Sequence, residues 1–186
     1  MFGKRVKFLR NGVWEYSSNY DLDIQTINIK NESPHELPKF AKVGDSGFDF
    51  RAWIKDEEEK VKIDKETDRK YINLKPLERR LIHTGIYMNL PMYTELQIRP
   101  RSGCSYKQGL TVINTPGTID EQYTNEICIL VINLSNETIK IKDGERIAQG
   151  VLMPVYNSHL VKFNEVEEIE DNPYRNKDGM GSSGTE

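Results

Sequence analysis

From residue 71 onward, the apolar residues come in short runs that Pro, Gly and Asn separate. In the segment 139–142 Ile alternates with Lys, which is the pattern of a strand with one face in water. The segment 127–134 is apolar at both sets of alternating positions and predicts a strand covered on two sides. No stretch has the spacing of an amphipathic helix longer than two turns. The pattern predicts an all-β protein, built as a sandwich or a barrel.

Two segments differ from this regular pattern. Residues 6–16 read as two short strands joined by Asn11-Gly12, a dipeptide that favours tight turns, and they predict an accessory hairpin. Residues 53–70 carry seven acids and six bases, so we expect an exposed insertion. A loop that binds a partner protein is the alternative for this charged segment.

The expected organisation is one domain with two appendages. The accessory hairpin covers 1–23, and the β domain with its charged insertion covers 24–163, opening with a strand over 24–30. The segment 164–186 is acidic and then rich in Gly and Ser, which predicts a mobile C-terminal arm.

Composition narrows the classes of function. The 186 residues carry a formal net charge of −3, and the isoelectric point near 5.7 argues against binding of DNA or RNA by bulk charge. No apolar run reaches about 18 residues, and charges interrupt the N-terminal segment, so we expect neither a membrane span nor a signal peptide. Two cysteines and three histidines, with no CxxC pair, indicate no zinc or haem site. They fit a reducing compartment, and the expected location is the cytoplasm, or the host-cell cytoplasm for a viral protein.

The first candidate for chemistry is the segment Arg99-Pro-Arg-Ser-Gly-Cys-Ser, which follows a predicted strand. It offers two guanidinium groups, two hydroxyls and the main-chain amides of a turn at Gly103, and these donors suit a polyphosphate. An arginine that forms a salt bridge in a loop is an equally open alternative.

The second candidate is the segment 114–123, which surrounds a Pro-Gly turn. A hairpin of this kind presents main-chain groups and one carboxamide to a planar base, while Tyr123 can pack on a sugar. Asp120 can orient and deprotonate water, although Asp and Gly also occur in turns for turn geometry alone. The run from Arg175, with three glycines and two serines, can fold over an anion or serve as a linker.

Together, these segments resemble the five motifs of the homotrimeric dUTPase family, the deoxyuridine 5'-triphosphate nucleotidohydrolases, in order from Pro38 to Gly184. The motifs are LPKFAKVGDSGFDFRA around Asp49, PRSGCSYKQGL at 100–110, NTPGTIDEQYTNE from Asn114, DGERIAQ at 143–149, and RNKDGMGSSG from Arg175. In the third motif Asn114 lies six residues before Asp120, and Tyr123 lies three after it, as in the family.

The resemblance implies a jelly-roll-like β-sandwich or barrel that forms a homotrimer, with active sites shared between subunits and closed by the C-terminal arm. The implied reaction is hydrolysis of dUTP to dUMP and pyrophosphate with Mg²⁺, which limits uracil incorporation into DNA and supplies dUMP for thymidylate synthesis. Most ligands of the ion would be triphosphate oxygens. Neither nucleic acid nor membrane is an implied partner.

The resemblance also implies roles for individual residues. Asp120 corresponds to the acid that activates the attacking water, Tyr123 to the residue that excludes a 2′-hydroxyl, and Asp49 to a water-mediated magnesium contact. The implied uracil readers are Asn114 and the main chain of Thr118, Ile119 and Asp120, with Cys128 lining the nucleoside pocket. The implied phosphate contacts are Arg101, Ser102, Gly103 and Gln149, together with Arg175, Ser182 and Ser183 of the arm, and Gly181 is a further substrate contact there.

Two positions depart from the family pattern. Met180 stands where the family commonly has a Phe that stacks over uracil, so we expect a looser cover. Asn125 stands where the family usually has Gly, which leaves either a distorted turn or an Asn in left-handed geometry. His83 is expected to be a satisfied or exposed side chain, and Cys104 and Cys128 are expected to be packing residues.

Two other functions remain open at this stage. A dCTP deaminase resembles the same motifs but needs a Glu in the strand ICILVINL, where this chain has Leu130, and an Arg where it has Tyr106. A regulatory module that binds a protein partner, through 1–23 or 53–70, is the second alternative.

Overall fold

The computed structural model describes residues 6–10, 13–17, 25–56 and 60–170. The strands among them are β1 (Val6–Arg10), β2 (Val13–Ser17), β3 (Asn28–Asn31), β4 (Phe48–Arg51), β5 (Lys62–Asp64), β6 (Arg69–Leu74), β7 (Arg79–Ile82), β8 (Ile86–Asn89), β9 (Thr94–Pro100), β10 (Leu110–Val112), β11 (Gly117–Ile119), β12 (Ile129–Asn133), β13 (Ile139–Lys142) and β14 (Arg146–Pro154). The one helix among them is α1 (Ser102–Gln108). The prediction of an all-β fold is confirmed.

A four-stranded antiparallel sheet in the order β11-β9-β14-β4 carries most of the polar residues discussed below. Strand β4 buries Phe48 and Phe50, and strand β9 buries Leu96 and Ile98. Because successive side chains of a strand point to opposite faces, the polar residues between them, including Asp49, lie on the face away from these core residues.

The other sheets in the described part of the domain are β10-β12-β7, β13-β6-β5 and β3-β8. Strand β13 confirms the predicted alternation, since Ile139 and Ile141 are buried between more exposed lysines. Strand β12 differs from the prediction of two covered faces. It buries Ile129 and Val131 on one face but leaves Leu130 38% exposed on the other. The described residues of a single chain therefore cover only one of the two faces of strand β12.

A buried amide ends strand β12. Asn133 is fully buried, and its Nδ2 donates to the backbone oxygens of Leu74 (2.9 Å) and Glu137 (2.7 Å). Its Oδ1 accepts hydrogen bonds from the backbone N and the Oγ of Ser135, both at 2.8 Å. Because these bonds replace those to water, Asn133 can be buried without penalty and fixes the turn between β12 and β13.

The prediction of an exposed insertion over 53–70 is wrong in part. Ile54 is almost fully buried, and Val61 packs against the core. Strands β5 and β6 then form an antiparallel hairpin beside β13, from which Lys140 reaches Asp64 at 3.3 Å. Composition indicated solvent because most side chains here are charged, whereas the backbone of the segment extends a sheet.

The N-terminal strands follow the sequence pattern. Strands β1 and β2 pair antiparallel with Arg10 opposite Val13, which confirms the two strands of the hairpin predicted over 6–16. The turn at Asn11-Gly12 lies outside the described residues. The strand predicted over 24–30 begins at Asn28, as strand β3, which pairs with β8.

The chain divides into the units Met1–Val155 and Tyr156–Glu186. In the second unit Asn157 builds a turn, because its backbone oxygen accepts from the N–H groups of Leu160 (2.9 Å) and Val161 (3.0 Å). The residues expected to grip the nucleotide, Arg175, Met180, Gly181, Ser182 and Ser183, lie outside the described residues. No helix in the described part of the chain is long and apolar enough to span a membrane.

Candidate active site

Three neighbouring strands bring polar residues from distant parts of the sequence into one row. Gln149 of β14 pairs with Asp49 of β4 on one side and with Arg99 of β9 on the other. Because directly paired residues of antiparallel strands point to the same face, the carboxylate, the carboxamide and the guanidinium share one surface. The first, second and fourth motifs meet here.

The carboxylate of Asp49 holds two arginines. Nε of Arg101 donates to Oδ1 at 2.6 Å, and Nη1 of Arg146 donates to Oδ2 at 3.1 Å. Nη1 of Arg101 also donates to the backbone oxygen of Arg146 at 3.1 Å. Partial burial by itself lowers the pKa of Arg101, but the charge and hydrogen bond of Asp49 raise it overall. The Arg101 guanidinium therefore stays charged and is held in one orientation.

Helix α1 begins directly after Arg101. Arg101 is extended, with φ −89° and ψ 130°, and the helix ends at Gly109, whose φ of 74° lies in the left-handed region. The turn that the sequence predicted at Gly103 is the first turn of this seven-residue helix. The sequence did not indicate a helix because Ser and Gly are weak helix formers and the run is about two turns long.

Asp49, Arg101 and Gln149 line a cavity of about 360 Å³. Its walls are formed by Lys39, Ala41, Asp45, Ser46, Gly47, Asp49, Arg99, Arg101, Ser102, Gly103, Gln149 and Val151. Gln149 is oriented by donating from Nε2 to the Pro100 oxygen at 2.9 Å, and a Cβ on Gly47 would lie 2.6 Å from its Oε1. Three cationic side chains beside hydroxyl and amide donors suit phosphate oxygens. We call this space the arginine cavity.

The third motif lies along the same sheet. Strand β11 pairs with β9, and Asn114 lies against Gly117, where an added Cβ would come within 3.2 Å of Nδ2 of Asn114. Thr118 and Asp120 are exposed, whereas the side chain of Ile119 packs against the core. Ile119 can therefore offer a ligand its main chain, as the sequence analysis expected.

Asp120 and Arg101 lie towards opposite ends of β9. Ile119 pairs with Leu96, whereas Arg101 directly follows the last residue of the strand. At about 3.4 Å per residue, the five steps from Leu96 to Arg101 span about 17 Å. Within one chain, the expected catalytic acid and the expected phosphate contacts are therefore not brought together.

Tyr123 is anchored at two points in the segment that follows Asp120. Its backbone N donates to the Asp120 oxygen, and its phenol OH donates to the backbone oxygen of Glu126, both at 3.0 Å. The side chain remains 37% exposed. The ring is therefore both accessible to a ligand and fixed in orientation.

The carboxylate of Glu126 binds the corner that follows strand β7. Its Oε1 accepts from the N–H groups of Thr84 (3.1 Å) and Gly85 (2.8 Å), and its Oε2 lies 2.8 Å from Nδ1 of His83. Desolvation alone raises the pKa of Glu126, but the bonds from Gly85 and His83 bring it below its usual value. His83 is therefore a satisfied side chain, as the sequence analysis expected.

Cys128 completes this group. Its Sγ lies 3.7 Å from Nδ1 of His83, and burial, followed by the charge of Glu126, raises the pKa of the thiol to about 11. The contacts of Cys128 are thus with His83 and Glu126, beside the hairpin of the third motif. His83, Glu126 and Cys128 are the described residues whose donor atoms are close enough together to hold a metal ion.

The surroundings of Asp49 do not suit direct binding of magnesium, and the expected water-mediated contact stays a prediction. Both of its carboxylate oxygens accept hydrogen bonds from guanidinium groups, and Arg99 adds a further cation to the arginine cavity. Mg²⁺ requires oxygen ligands in near-octahedral geometry and is repelled by neighbouring cations. An ion that enters this cavity therefore needs oxygen ligands other than those of Asp49.

Comparisons with known proteins agree with the motifs. The family model described as dUTPase matches residues 67–184. The chain belongs to the dUTPase family. It is 43% identical over 159 residues to the deoxyuridine 5'-triphosphate nucleotidohydrolase of Cytophaga hutchinsonii, covering 86% of this chain and 92% of that enzyme. The corresponding enzyme of Finegoldia magna is 44% identical over 85% of this chain and 98% of its own length.

Solved dUTPases have the same fold as this one. The dUTPase of Staphylococcus bacteriophage 80alpha with dUPNHPP matches with a TM-score of 0.67 and 27% identity, over 86% of this chain and 98% of that chain. This dUTPase is a dUTP diphosphatase and hydrolyses dUTP. The family, fold type and activity predicted from the sequence are thus confirmed. The deaminase alternative fails, since the position that needs an acid is Leu130, on the outer face of strand β12.

Some residues of this dUTPase were missed or misjudged in the sequence. Arg146 was quoted within the fourth motif without a role, and Glu126 was overlooked although it is an acid beside an apolar run. Neither role can be predicted from the neighbouring sequence, because the partners of these side chains are more than forty residues away in the chain.

The backbone of Asn125 decides between the two alternatives given for this position. Asn125 has no positive φ; the described non-glycine residues with positive φ are Lys60, Asp68, Leu77 and Tyr93. The left-handed alternative for Asn125 is therefore wrong.

Proposed function

We propose that this dUTPase works as a homotrimer in which Asp120 of one chain acts on a nucleotide whose phosphates lie in the arginine cavity of another. The observation that carries the proposal is the separation of about 17 Å along β9 between Leu96, which pairs with the neighbour of Asp120, and Arg101. General base catalysis needs the acid within hydrogen-bond reach of the attacking water. A second chain can place Asp120 beside the cavity.

The proposed chemistry is the attack of water on the α-phosphorus of dUTP. Asp120 accepts a proton from the water, the new P–O bond forms, and the bond from the α-phosphorus to the bridging oxygen breaks to release pyrophosphate. Arg101 and Gln149, with the N–H groups at Ser102 and Gly103, stabilise the charge that develops on the phosphate oxygens. Asp49 and Arg146 act indirectly, because they hold Arg101 in place.

Selection of the nucleoside follows from the third motif. Asn114 and the exposed main chain at 118–120 offer hydrogen bonds to the edge of uracil, and the anchored ring of Tyr123 meets the sugar. Cys128, beside this hairpin, lines the nucleoside side of the site. The resemblance supplies the roles of the C-terminal residues, where Met180 and Gly181 cover the base and Arg175, Ser182 and Ser183 contact the terminal phosphate.

Magnesium belongs to the substrate in this proposal. Mg²⁺ arrives as the complex with dUTP, where triphosphate oxygens are its ligands and it neutralises part of their charge. The arginine cavity then binds the remaining phosphate oxygens. Both cysteines of the chain are free, which supports activity in a reducing compartment, the cytoplasm.

An exposed apolar face supports the trimer. Leu81 and Leu130 are direct partners on β7 and β12, and both side chains are more than a third exposed. Ile113, whose backbone N donates to the Leu130 oxygen, and Leu134, which follows β12, are exposed as well. An apolar sheet face of this kind is normally covered by another chain. The sequence pattern of strand β12 had already indicated two covered faces.

Mixed trimers test the shared site. Asp120→Asn and Arg101→Ala are each expected to be inactive alone, with Asp120→Asn still binding dUTP because the acid acts on water. Co-expressed in equal amounts, the two variants form trimers in which about a quarter of the sites combine an intact Asp120 with an intact Arg101. Recovery of dUTP hydrolysis supports the proposal, whereas a mixed trimer as inactive as its parents contradicts it.

A regulatory role alongside catalysis is the second candidate. Strands β1 and β2 lie before the residues that the family model matches, and a phage dUTPase 26% identical to this chain is described as controlling the transfer of virulence genes. We propose protein binding through 1–23 or the segment 53–70. Deletion of 1–23 that leaves hydrolysis intact but removes a captured protein supports this role. Capture that stays unchanged after deletion of 1–23 and after neutral replacement of the exposed charges in 53–70 removes it.

A further inference from the structure

A cluster of nitrogen, oxygen and sulfur donors lies where strands β7 and β12 run side by side. Nδ1 of His83 lies 2.8 Å from Oε2 of Glu126 and 3.7 Å from Sγ of Cys128, and the three donor atoms all lie within 4.8 Å of one another. His83 directly follows β7, and Glu126 and Cys128 lie just before β12. The last residue of β7, Ile82, pairs with the first residue of β12, Ile129, which brings the two segments together. The cluster is therefore fixed by sheet pairing.

The carboxylate of Glu126 is oriented before any ion binds. Its Oε1 is held by the N–H groups of Thr84 and Gly85, at 3.1 and 2.8 Å, which directs Oε2 towards His83. All three donor residues are partly buried, so an ion between them would lose only part of its hydration. Such support from neighbouring groups is a regular feature of metal sites in proteins.

The donor types fit one class of ion, and the donor atoms need to move only slightly to bind it, since Nδ1 and Sγ are 3.7 Å apart and Nδ1 and Oε2 are 2.8 Å apart. Zinc takes imidazole nitrogen, carboxylate oxygen and thiolate sulfur at about 2.0–2.3 Å, so tetrahedral ligands lie about 3.3–3.7 Å apart. We propose that His83, Glu126 and Cys128 bind a divalent cation of the zinc class, with water as the fourth ligand. Thiolate and imidazole ligands disfavour Mg²⁺, which separates this site from the magnesium of the substrate.

Binding rearranges protons in a defined way. The ion replaces the hydrogen bond between His83 and Glu126, so the proton on Nδ1 leaves and the neutral ring carries its proton on Nε2. Cys128 gives up its thiol proton and binds as thiolate, because the thiolate is the metal ligand. When the imidazole is neutral at the start, it keeps one proton and only the thiol loses one. Binding of one divalent ion therefore releases one proton.

One neighbouring cation opposes the ion. Nζ of Lys55 lies 3.5 Å from Oε2 of Glu126 and 4.5 Å from the centre of the Trp53 ring. A divalent ion repels this ammonium group, and the long lysine side chain can carry it towards solvent. Lys55 therefore weakens binding without forming part of the site, and its removal should tighten binding.

The site would join two parts of the domain. The His83 corner lies between β7 and β8, and the backbone oxygen of Glu126 accepts the hydrogen bond from the phenol of Tyr123. An ion bound here links that corner to the segment that anchors Tyr123. Since the site requires the folded pairing of β7 and β12, binding raises the unfolding temperature by mass action.

A cobalt titration of the full, untagged chain without nucleotide tests the proposal. Co²⁺ bound to a thiolate gives a charge-transfer absorption in the near ultraviolet, and we expect this band to saturate at one ion per chain. Zn²⁺ should displace cobalt and remove the band, whereas an excess of Mg²⁺ should leave it unchanged. X-ray absorption of the zinc-loaded wild type should show one sulfur ligand, a measurement that needs no variant.

Variants assign the ligands. Cys128→Ser and His83→Asn should lower zinc affinity by about tenfold or more, and Cys128→Ser should lose the cobalt band. Cys104→Ser, which removes the other thiol of the chain, should keep the band, and Lys55→Gln should bind several times more tightly. No thiolate band in the wild type, or a band that survives Cys128→Ser, overturns the proposal. None of these readings depends on dUTP hydrolysis, so the shared active site stands or fails separately.

Discussion

At the scale of single residues, we propose that the anchoring of Tyr123 lets the site reject a ribonucleotide. Hydrogen bonds at the backbone N and at the phenol OH fix the ring relative to Asp120 and Glu126. In the proposed site the deoxyribose packs against this fixed ring, and an additional 2′-hydroxyl would collide with it. The proposed role of the ring is therefore steric, and its hydroxyl contributes by holding the ring in place.

Replacement of Tyr123 separates these two contributions. Tyr123→Ala should raise the ratio of kcat/KM for UTP to kcat/KM for dUTP by about tenfold or more, because the steric barrier to the 2′-hydroxyl is gone. Tyr123→Phe is the matched control, since it keeps the ring and loses only the hydrogen bond to Glu126. An unchanged ratio in Tyr123→Ala contradicts the steric role.

Part of the candidate site was predictable from the sequence. Arg101 was expected from the chemistry of phosphate binding and Gln149 from the family resemblance, and the structure places both in one cavity. Their roles, and that of Asp120, stay predictions. The partnership of Asp49 with Arg146 was not predictable, because the two are 97 residues apart and meet only through the pairing of β4 with β14. The sequence suggested a metal contact for a carboxylate that the fold uses to hold two arginines.

At the scale of elements, strand β14 determines the geometry of the arginine cavity. It lies between β4 and β9 and places Gln149 between Asp49 and Arg99. The next residue, Gly150, faces the core, where an added Cβ would lie 2.7 Å from Cε2 of Phe50. The absence of a side chain at this position lets the aromatic residue pack directly on the strand.

Gly150→Ala tests this close packing. The added methyl group must displace Phe50 and its neighbours, so the free energy of unfolding should fall by about 1–3 kcal/mol in denaturant titrations. Gly103→Ala is the control, because no atom lies within 4 Å of its added Cβ and Ala favours the helix. Equal stability of Gly150→Ala and the wild type would show that the strand tolerates the methyl group.

Elements with a clear hydrophobic period were predictable, and those without one were not. Strand β13 followed from the alternation of Ile and Lys. Helix α1 and the β5–β6 hairpin did not, because one is rich in Ser and Gly and the other in charged residues. Their positions depend on the neighbouring strands, with α1 following β9 and β6 pairing with β13.

At the scale of the whole molecule, the exposed face of the β10-β12-β7 sheet connects fold to assembly. The apolar outer residues of β12 do not contribute to the core of a single chain, and they account for the two-sided pattern of 127–134. The sequence therefore carried information about a second cover that the described residues of one chain do not supply. The proposed shared site needs a trimer that buries this face and that also brings Asp120 beside a neighbouring arginine cavity.

A charge on this face should disrupt the assembly. Leu130→Glu places a carboxylate where the proposed contact buries apolar surface, and we expect a smaller particle by light scattering with at least about a hundredfold less dUTP hydrolysis. Ile63→Glu, on the exposed strand β5, is the matched control and should keep both mass and activity. A Leu130→Glu protein that remains trimeric would place the interface elsewhere.

Release of pyrophosphate from dUTP, dTTP, dCTP and UTP in the presence of Mg²⁺ tests the central claim most directly. In the proposed site Asn114 and the 118–120 main chain recognise uracil, and Tyr123 excludes a 2′-hydroxyl. We therefore expect rapid release of pyrophosphate from dUTP and much slower release from the other three nucleotides. Comparable release from UTP or dTTP, or no release from dUTP by folded protein, would contradict this account.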